Sequence, residues 1–227
     1  LALLLLLLPL TSWAQADGPR SQVLIPTDVS IFVPTYMHLS GNYAFGGSVL
    51  VPGADVDSDV FVLTYLRAFD IAGRHAQIYI NPVFGSIDAS GTITPPATGQ
   101  PVSANVSTSG LGDAIVNFKI GLVGAEPLGL KDMGKQNQGF QMGALFGLTL
   151  PTGEYDEDKP LNLGKNIWAF RFGLPMVWPV GSAQHPTFLE VIPSATFYST
   201  NSSPTLGADE RTQDALLDVQ VHLSRNF

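Results

Sequence analysis

The side chains that could carry out chemistry are few in this sequence. It holds no cysteine, which excludes thiolate catalysis, zinc bound by sulfur, iron–sulfur clusters and disulfides. The histidines stand at positions 38, 75, 185 and 222, with no His-x-His and no pair four residues apart. Because protein zinc sites need several such ligands at close spacing, the sequence predicts no metal site.

One grouping of side chains has the composition of a hydrolase site. Asp218, His222 and Ser224 share one parity of a predicted strand near the end of the chain. Neighbours two apart on one strand lie about 6.5–7 Å apart, beyond hydrogen-bond reach. The Gly-x-Ser-x-Gly turn of many hydrolases is also missing. We therefore predict no catalytic residues, and a hydrolase carried by a barrel remains the less favoured alternative.

Two further patterns are incomplete versions of ligand-binding loops. Residues 129–135 have the Gly and Lys spacing of a phosphate loop, but Gln136 stands where the magnesium-binding Ser or Thr belongs. Aspartates at 55, 57 and 59 resemble the start of a calcium loop, but Val60 replaces its glycine and Leu66 its final glutamate. We predict no cofactor, and solvated loop charge at 55–59.

Composition points away from nucleic acid and towards an apolar environment. The 227 residues carry 19 acids against 11 bases, a net charge of −8, whereas nucleic-acid surfaces need clustered Lys and Arg. Charged residues reach only 13%, about half the usual ~25% of soluble domains. Apolar residues reach 45%, with a mean hydropathy of +0.20. A chain so poor in charge needs apolar surroundings for part of its surface.

The first sixteen residues read as an export signal. Residues 1–10 are almost purely apolar, and 14–16 read Ala-Gln-Ala, the small-x-small pattern of a cleavage site. We predict a signal peptide over 1–16 that lacks its basic n-region, because the chain begins with Leu. The exported part, 17–227, would be one outer-membrane β-barrel domain, and we expect it to be incomplete at its C-terminus.

Beyond that segment, apolar residues alternate with small or polar ones. No later run approaches the ~20 apolar residues of a membrane helix. Several alternating runs reach the ~9–11 residues of a membrane-spanning strand, longer than the ~5–6 of an ordinary strand. This predicts an all-β, antiparallel, up-and-down transmembrane β-barrel, with a soluble sandwich as the weaker choice. The strands are predicted at 28–39, 59–69, 74–84, 113–123, 140–150, 168–178, 188–198 and 217–224.

The two parities of these strands predict two different faces. A Lys or Arg on the lipid side costs about 2–4 kcal/mol at the midplane, so the polar parity should face the lumen. The residues predicted to line the lumen are Asn117, Lys119, Gln141, Thr149, Arg171, Glu190, Asp218, Gln220 and His222. Those predicted to face lipid or form the aromatic girdles are Phe118, Phe140, Phe146, Trp168, Phe170, Phe172 and Trp178.

The predicted connections alternate between long and short, as in outer-membrane barrels. Long loops are expected at 40–58, 85–112, 151–165 and 199–213, and short turns at 70–73 and 179–186. The connection at 124–138 departs from this rule, because it is long where a turn is expected.

Several motifs occur together in an order that marks a known family. They read SGLGD at 109–113, LPTGEY at 150–155, LNLGKNIWAF at 161–170 and RAFDIAGR at 67–74. In these the chain resembles the bacterial outer-membrane β-barrel proteins grouped as the transporter family of the MetA (meta-cleavage) pathway of phenol degradation. The resemblance implies a single-chain barrel that passes small, often aromatic, growth substrates. Family members usually continue for several more strands, and no catalytic or ligand residues carry over.

The sequence thus favours a channel for passive uptake of small hydrophobic or aromatic compounds such as phenols. Its expected partners are those solutes and outer-membrane lipid or lipopolysaccharide, with no nucleic acid; the oligomeric state is left open. A structural or adhesive barrel without transport is the alternative. The inward charges Lys119, Arg171, Glu190 and Asp218 have two interpretations: they tune what passes, or they pair with each other and fill the lumen.

Overall fold

The computed structural model describes residues 17–41, 54–93, 102–135, 139–182, 185–205 and 209–225. The predicted signal peptide, 1–16, lies outside these residues. In the described ranges, no helix is long and apolar enough to cross a membrane. The elements are β1 (Ser30–Gly41), β2 (Ala54–Ile71), β3 (Arg74–Asn81), β4 (Val83–Ile93), β5 (Val102–Leu111), β6 (Ala114–Val123), a 3₁₀ helix (Leu130–Lys135), β7 (Gln141–Leu150), β8 (Ala169–Gly173), β9 (Met176–Pro179), β10 (Thr187–Tyr198) and β11 (Leu216–Arg225).

All these strands belong to one antiparallel sheet of 11 strands. β3 and β4 pair with different halves of β2 and together occupy one strand position. β6 pairs with β3 and β5 pairs with β4, so β5 and β6 together occupy the next position. β8 and β9 likewise share the neighbours β7 and β10. The eleven segments therefore occupy eight strand positions in up-and-down order. The predicted all-β, antiparallel fold class is confirmed, and each predicted strand overlaps an observed one.

The connections define two ends of the sheet. The turn end carries the β2–β3, β6–β7 and β9–β10 connections, and the loop end carries the β1–β2, β4–β5, β7–β8 and β10–β11 connections. At the turn end β2 and β3 meet through Ala72 and Gly73, both at positive φ (51° and 76°). The amide of Gly73 donates to Asp70 Oδ1 at 2.7 Å, a side-chain contact that closes the turn. The tight turn predicted at 70–73 is thus present.

The long loop predicted at 85–112 is wrong. β4 continues to Ile93 and β5 begins at Val102, so strands occupy most of that range. β2 likewise begins at Ala54, which places Asp55, Asp57 and Asp59 on a strand and not in a loop. The prediction failed because these ranges are rich in Ser, Asp and Gly, a composition that is typical of loops. At the loop end, the outward positions are polar, as they are in a sheet that faces water.

Proline and glycine interrupt three of the strand positions. Pro82 separates β3 from β4, Gly112 and Asp113 separate β5 from β6, and Leu174 and Pro175 separate β8 from β9. The continuous strand predicted at 168–178 is therefore two shorter ones. Proline lacks the amide proton that a central strand donates, which explains two of these breaks.

Candidate functional site

The cross-strand register places the predicted lumen residues on one face of the sheet, here called the inner face. Directly opposed residues of neighbouring strands point to the same side. Glu190 lies opposite His222 and Val177, and Val177 lies opposite Gln141. Arg171 lies opposite Gly147, which lies opposite Asn117. The same pairings carry Lys119, Thr149, Asp218 and Gln220 to this face. That these residues line a passage remains a prediction.

The predicted lipid-facing aromatic residues lie on the opposite, outer face. Phe146 and Phe172 are cross-strand partners whose ring centroids are 5.4 Å apart. Phe140 packs against Trp178 at 5.1 Å, and Trp168 stacks on Phe170 at 6.5 Å. Phe118 lies opposite Phe146 on the same face. Phe172 is 50% exposed, as are many outer-face side chains, and contact of this face with lipid remains a prediction.

Residues 17–29, here called the N-terminal segment, lie against the inner face. Its backbone amides at Arg20 and Gln22 donate to the two carboxylate oxygens of Glu190, at 2.6 and 3.2 Å. The carboxylate of Asp17 forms an ion pair with Arg171 at 2.8 Å, with only 12% of each side chain exposed. Charge-assisted hydrogen bonds of this kind are among the stronger ones in proteins. Both charges were predicted from the sequence, but their partner was not.

The same segment also reaches the strands on the other side of the sheet. Lys119 Nζ donates to the carbonyl of Ser21 at 2.8 Å. His75 Nε2 lies 2.7 Å from the carbonyl of Ile25. One stretch of nine residues, 17–25, thus contacts β3, β6, β8, β10 and β11. A sheet whose distant strands share one short segment must curl around it, so the segment lies in a lumen.

These contacts involve a partner that neither interpretation of the inward charges includes. Glu190, Lys119 and Arg171 bind the N-terminal segment, mostly at its backbone. Asp218 differs, because it accepts hydrogen bonds from Ser194 and Gln220 of the sheet itself. Nearly every residue carries a backbone amide and carbonyl, so no residue type marks this partner in the sequence. Both interpretations stay predictions.

A small cavity lies beside the segment. A cavity of about 40 Å³ lies between Gln22 and Leu24 of the segment and the inner face near His75, Lys119 and Gln141. One water needs about 10–15 Å³ measured in this way, so the cavity holds only a few waters. This cavity by itself is too small for a benzene ring.

The loop end of the lumen is covered by the connection between β7 and β8. Leu161 and Leu163 of this connection are buried against Val56 of β2 and Ile87 of β4, and Ala89 and Val106 pack around them. We call these six residues the outer apolar cluster. Since the connection belongs to β7 and β8 but packs on β2 and β4, it crosses the lumen.

Asp113 holds this connection in place. Its two carboxylate oxygens accept hydrogen bonds from the amides of Gly153, at 3.0 Å, and Lys165, at 2.9 Å. A Cβ on Gly153 would lie 2.7 Å from Gly164 Cα and 2.8 Å from the amide nitrogen of Asp113. Only glycine permits that approach, which explains the Gly residues of the LPTGEY and LNLGKN motifs.

Replacing Asp113 by Ala should loosen the connection without unfolding the sheet. Hydrogen bonds to a charged group contribute about 1.5–3 kcal/mol each, and solvent around the half-buried Asp113 reduces that figure. We expect a loss of about 1–3 kcal/mol and faster proteolysis within 151–168. Glu157→Ala, at an exposed position of the same connection, is the control. Equal proteolysis of the two variants would contradict the role of Asp113.

Comparison with known proteins places this architecture in a family. A family model described as "Putative MetA-pathway of phenol degradation" matches residues 40–227, which is most of the chain. The chain belongs to this family. None of the curated proteins compared with the chain matches it.

The fold of this phenol-degradation family member also matches a solved structure. That structure is the crystal structure of an outer membrane channel from Pseudomonas putida F1. The TM-score is 0.66 at 24% sequence identity, over 90% of this chain and 69% of that one. At this identity the likeness shows the fold, an antiparallel β-barrel, and not the activity.

The hydrolase grouping does not assemble in this family member. His222 Nε2 and Ser224 Oγ are both buried, and within the described ranges neither has a hydrogen-bond partner, so they do not bond to each other. Among the same residues no group of three His, Asp or Glu side chains could hold a metal ion. The phosphate-loop pattern at 129–135 lies mainly in the 3₁₀ helix Leu130–Lys135, on the connection between β6 and β7.

Proposed function

We propose that this protein is an outer-membrane channel for small hydrophobic or aromatic compounds, such as phenols, which move down their own gradient. Residues 1–16 would direct export, and the outer face would contact lipid and lipopolysaccharide. The observation that carries the proposal is the contrast between the two faces. Away from the polar positions at the loop end, the outer face is an aromatic and aliphatic surface, whereas the inner face surrounds the N-terminal segment and the outer apolar cluster.

The lumen itself supports an apolar solute over an ionic one. Along β2 and β4 its wall is apolar, with Val56, Val60, Val83 and Ile87 all buried. The charged side chains lie on the other strands, where the N-terminal segment supplies their hydrogen-bond partners. An ion would have to cross the apolar part, at a cost in hydration that an aromatic ring does not incur.

The N-terminal segment also favours a second candidate, a structural barrel that conducts nothing. A segment bound to the inner face can serve to stabilise a barrel without any solute. The two functions differ in one observable: transport requires that the segment and the β7–β8 connection move aside, and a structural barrel does not.

Uptake by intact cells tests the channel. The full chain is expressed in a Gram-negative host, and the initial rates of uptake of radiolabelled cresol and of ribose are measured. We expect faster uptake of cresol, with ribose unchanged. Thr149→Trp on the inner face should slow cresol uptake several-fold, because it narrows the lumen. Leu148→Trp, the adjacent outer-face position, is the matched control and should leave the rate unchanged.

Two outcomes would contradict the proposal. Equal cresol uptake in cells with and without correctly inserted protein would favour the structural barrel. Equal slowing by Thr149→Trp and Leu148→Trp would show that uptake does not follow the inner face.

A further inference from the structure

One buried asparagine joins two of the connections at the loop end. Asn201 follows β10 and is only 4% exposed. Its backbone pairs with that of Arg211 in the same β10–β11 connection, with N···O distances of 2.9 and 2.8 Å. The structure describes this connection at 199–205 and 209–215. The backbone of Asn201 thus belongs to a short antiparallel stem, which fixes the point from which its side chain extends.

The side-chain amide of Asn201 uses its full hydrogen-bonding capacity, mostly across to the β7–β8 connection. Nδ2 donates to Tyr155 Oη at 3.0 Å and to the carbonyl of Lys165 at 3.4 Å. Oδ1 accepts from Asn166 Nδ2 at 3.0 Å and from the amide of Ser203 at 2.9 Å. An asparagine side chain has two donor hydrogens and two acceptor lone pairs, so all four are used. Three of these four bonds cross between the two connections.

The orientation of this amide follows from its partners. The amide of Ser203 can only donate and the carbonyl of Lys165 can only accept, so Oδ1 and Nδ2 of Asn201 cannot be exchanged. A further bond also crosses between the connections, because the hydroxyl of Tyr155 donates to the carbonyl of Ser203 at 2.8 Å. The two connections are therefore joined by a closed network and not by one isolated contact.

Lys165 ties this network to the part of the β7–β8 connection that crosses the lumen. Its amide donates to Asp113, and its carbonyl accepts from Asn201. Leu163, two residues earlier, is buried in the outer apolar cluster. A movement that takes Leu163 out of that cluster therefore also displaces Lys165. If the β10–β11 connection stayed behind, the buried amide of Asn201 would lose its partners, and that cost is avoided when both connections move together.

We propose that Asn201 is a positioning residue that couples the two connections, so that they leave the loop end of the lumen as one unit. The proposal rests on the proposed function, in which the β7–β8 connection moves aside for a solute, and it adds the β10–β11 connection to the moving part. Asp113 anchors this unit to the sheet, and Asn201 holds its two parts together. The contact that opens is then that of Leu161 and Leu163 with β2 and β4.

Hydrogen–deuterium exchange, measured by mass spectrometry, tests the coupling without any solute. The full chain is expressed in a Gram-negative host and purified into lipid nanodiscs. Asn201→Ala should speed exchange about fivefold at 151–168 as well as at 199–205, the ratio that one net hydrogen bond supplies. Ser202→Ala, at the exposed neighbouring position, is the matched control and should change exchange in neither range.

A double variant separates coupling from a local loss of structure. Asp113→Ala should speed exchange at 199–205 as well as at 151–168, although both bonds of Asp113 go to the β7–β8 connection. In a chain that already carries Asn201→Ala, Asp113→Ala should have no further effect at 199–205, because the link is gone.

Three results would overturn the coupling. The first is faster exchange in Asn201→Ala that is confined to 199–205. The second is an effect of Asp113→Ala that stays within 151–168, and the third is an effect at 199–205 that persists undiminished in the double variant. Absence of cresol uptake by the unaltered chain would contradict the channel, whereas exchange decides the coupling whether or not a solute passes.

Discussion

A variant without residues 17–25 should conduct ions several-fold better than residues 17–227 when single channels are recorded in a planar bilayer. The segment contacts five strands and leaves a cavity of only about 40 Å³ beside it. Its removal opens the lumen and exposes Lys119, Glu190 and Arg171 to water. A water-filled lumen lined by charged side chains lets ions pass more easily than a lumen that the segment occupies.

Val23→Ser is the control for this deletion. Val23 is 49% exposed, and the segment binds mainly through its backbone, so the substitution should leave conductance unchanged. If the deletion and Val23→Ser gave the same conductance as the mature chain, the segment would not close the lumen.

Glu190→Ala should destabilise the folded barrel by about 3–5 kcal/mol, the usual cost of removing one partner from a buried charge network. Glu190 is 1% exposed and accepts both segment amides, while Lys119 and Arg171 are cations on the same face. Without the carboxylate, the amides of Arg20 and Gln22 lose their acceptor and the cations lose a compensating charge. Guanidinium unfolding in detergent micelles measures the change.

The matched control for Glu190 is an acid that lies on the sheet but faces outward. Asp88 on β4 is exposed, and its replacement by Ala should change the unfolding free energy by no more than about 0.5 kcal/mol. A Glu190→Ala barrel as stable as Asp88→Ala would show that the segment is not anchored through this carboxylate.

The alternation of apolar with small or polar residues predicts most strands of the sheet. It does not predict the strands whose outward residues are polar. Runs such as 140–150 alternate between Phe or Leu and small residues, which identifies a strand with one apolar face. At 86–90 polar residues alternate with Ile87 and Ala89, but the content of Ser and Asp is typical of a loop. Because the outward residues of these strands are polar, the alternation of apolar residues does not identify β5 or most of β4 as strands.

The sequence predicts which side chains lie on the inner face, but not what they contact. Side chains alternate between the two faces of a strand, so Lys119, Arg171 and Glu190 lie on the same face. Their main partners are backbone groups of residues 20–22, which any sequence would present. The burial of Leu161 and Leu163 could not be predicted either, because a Leu-x-Leu pattern in a connection does not indicate which strands it packs against.

Two different pieces of chain pack on the two halves of the inner face. The segment 17–25 forms hydrogen bonds with the charged strands towards the turn end, and the β7–β8 connection packs on the apolar strands at the loop end. Asp113 and Glu190 are the carboxylates that hold these two pieces. Each can be released by one substitution, so their contributions to uptake can be measured separately.

Folding of the mature chain, 17–227, with and without lipid vesicles tests the membrane barrel most directly. The folded product is compared, boiled and unboiled, on a denaturing gel and by circular dichroism. We expect β-rich protein only with vesicles or detergent, with a mobility that changes on boiling. A monodisperse, β-rich monomer in plain buffer would contradict the membrane barrel and, with it, the proposed channel.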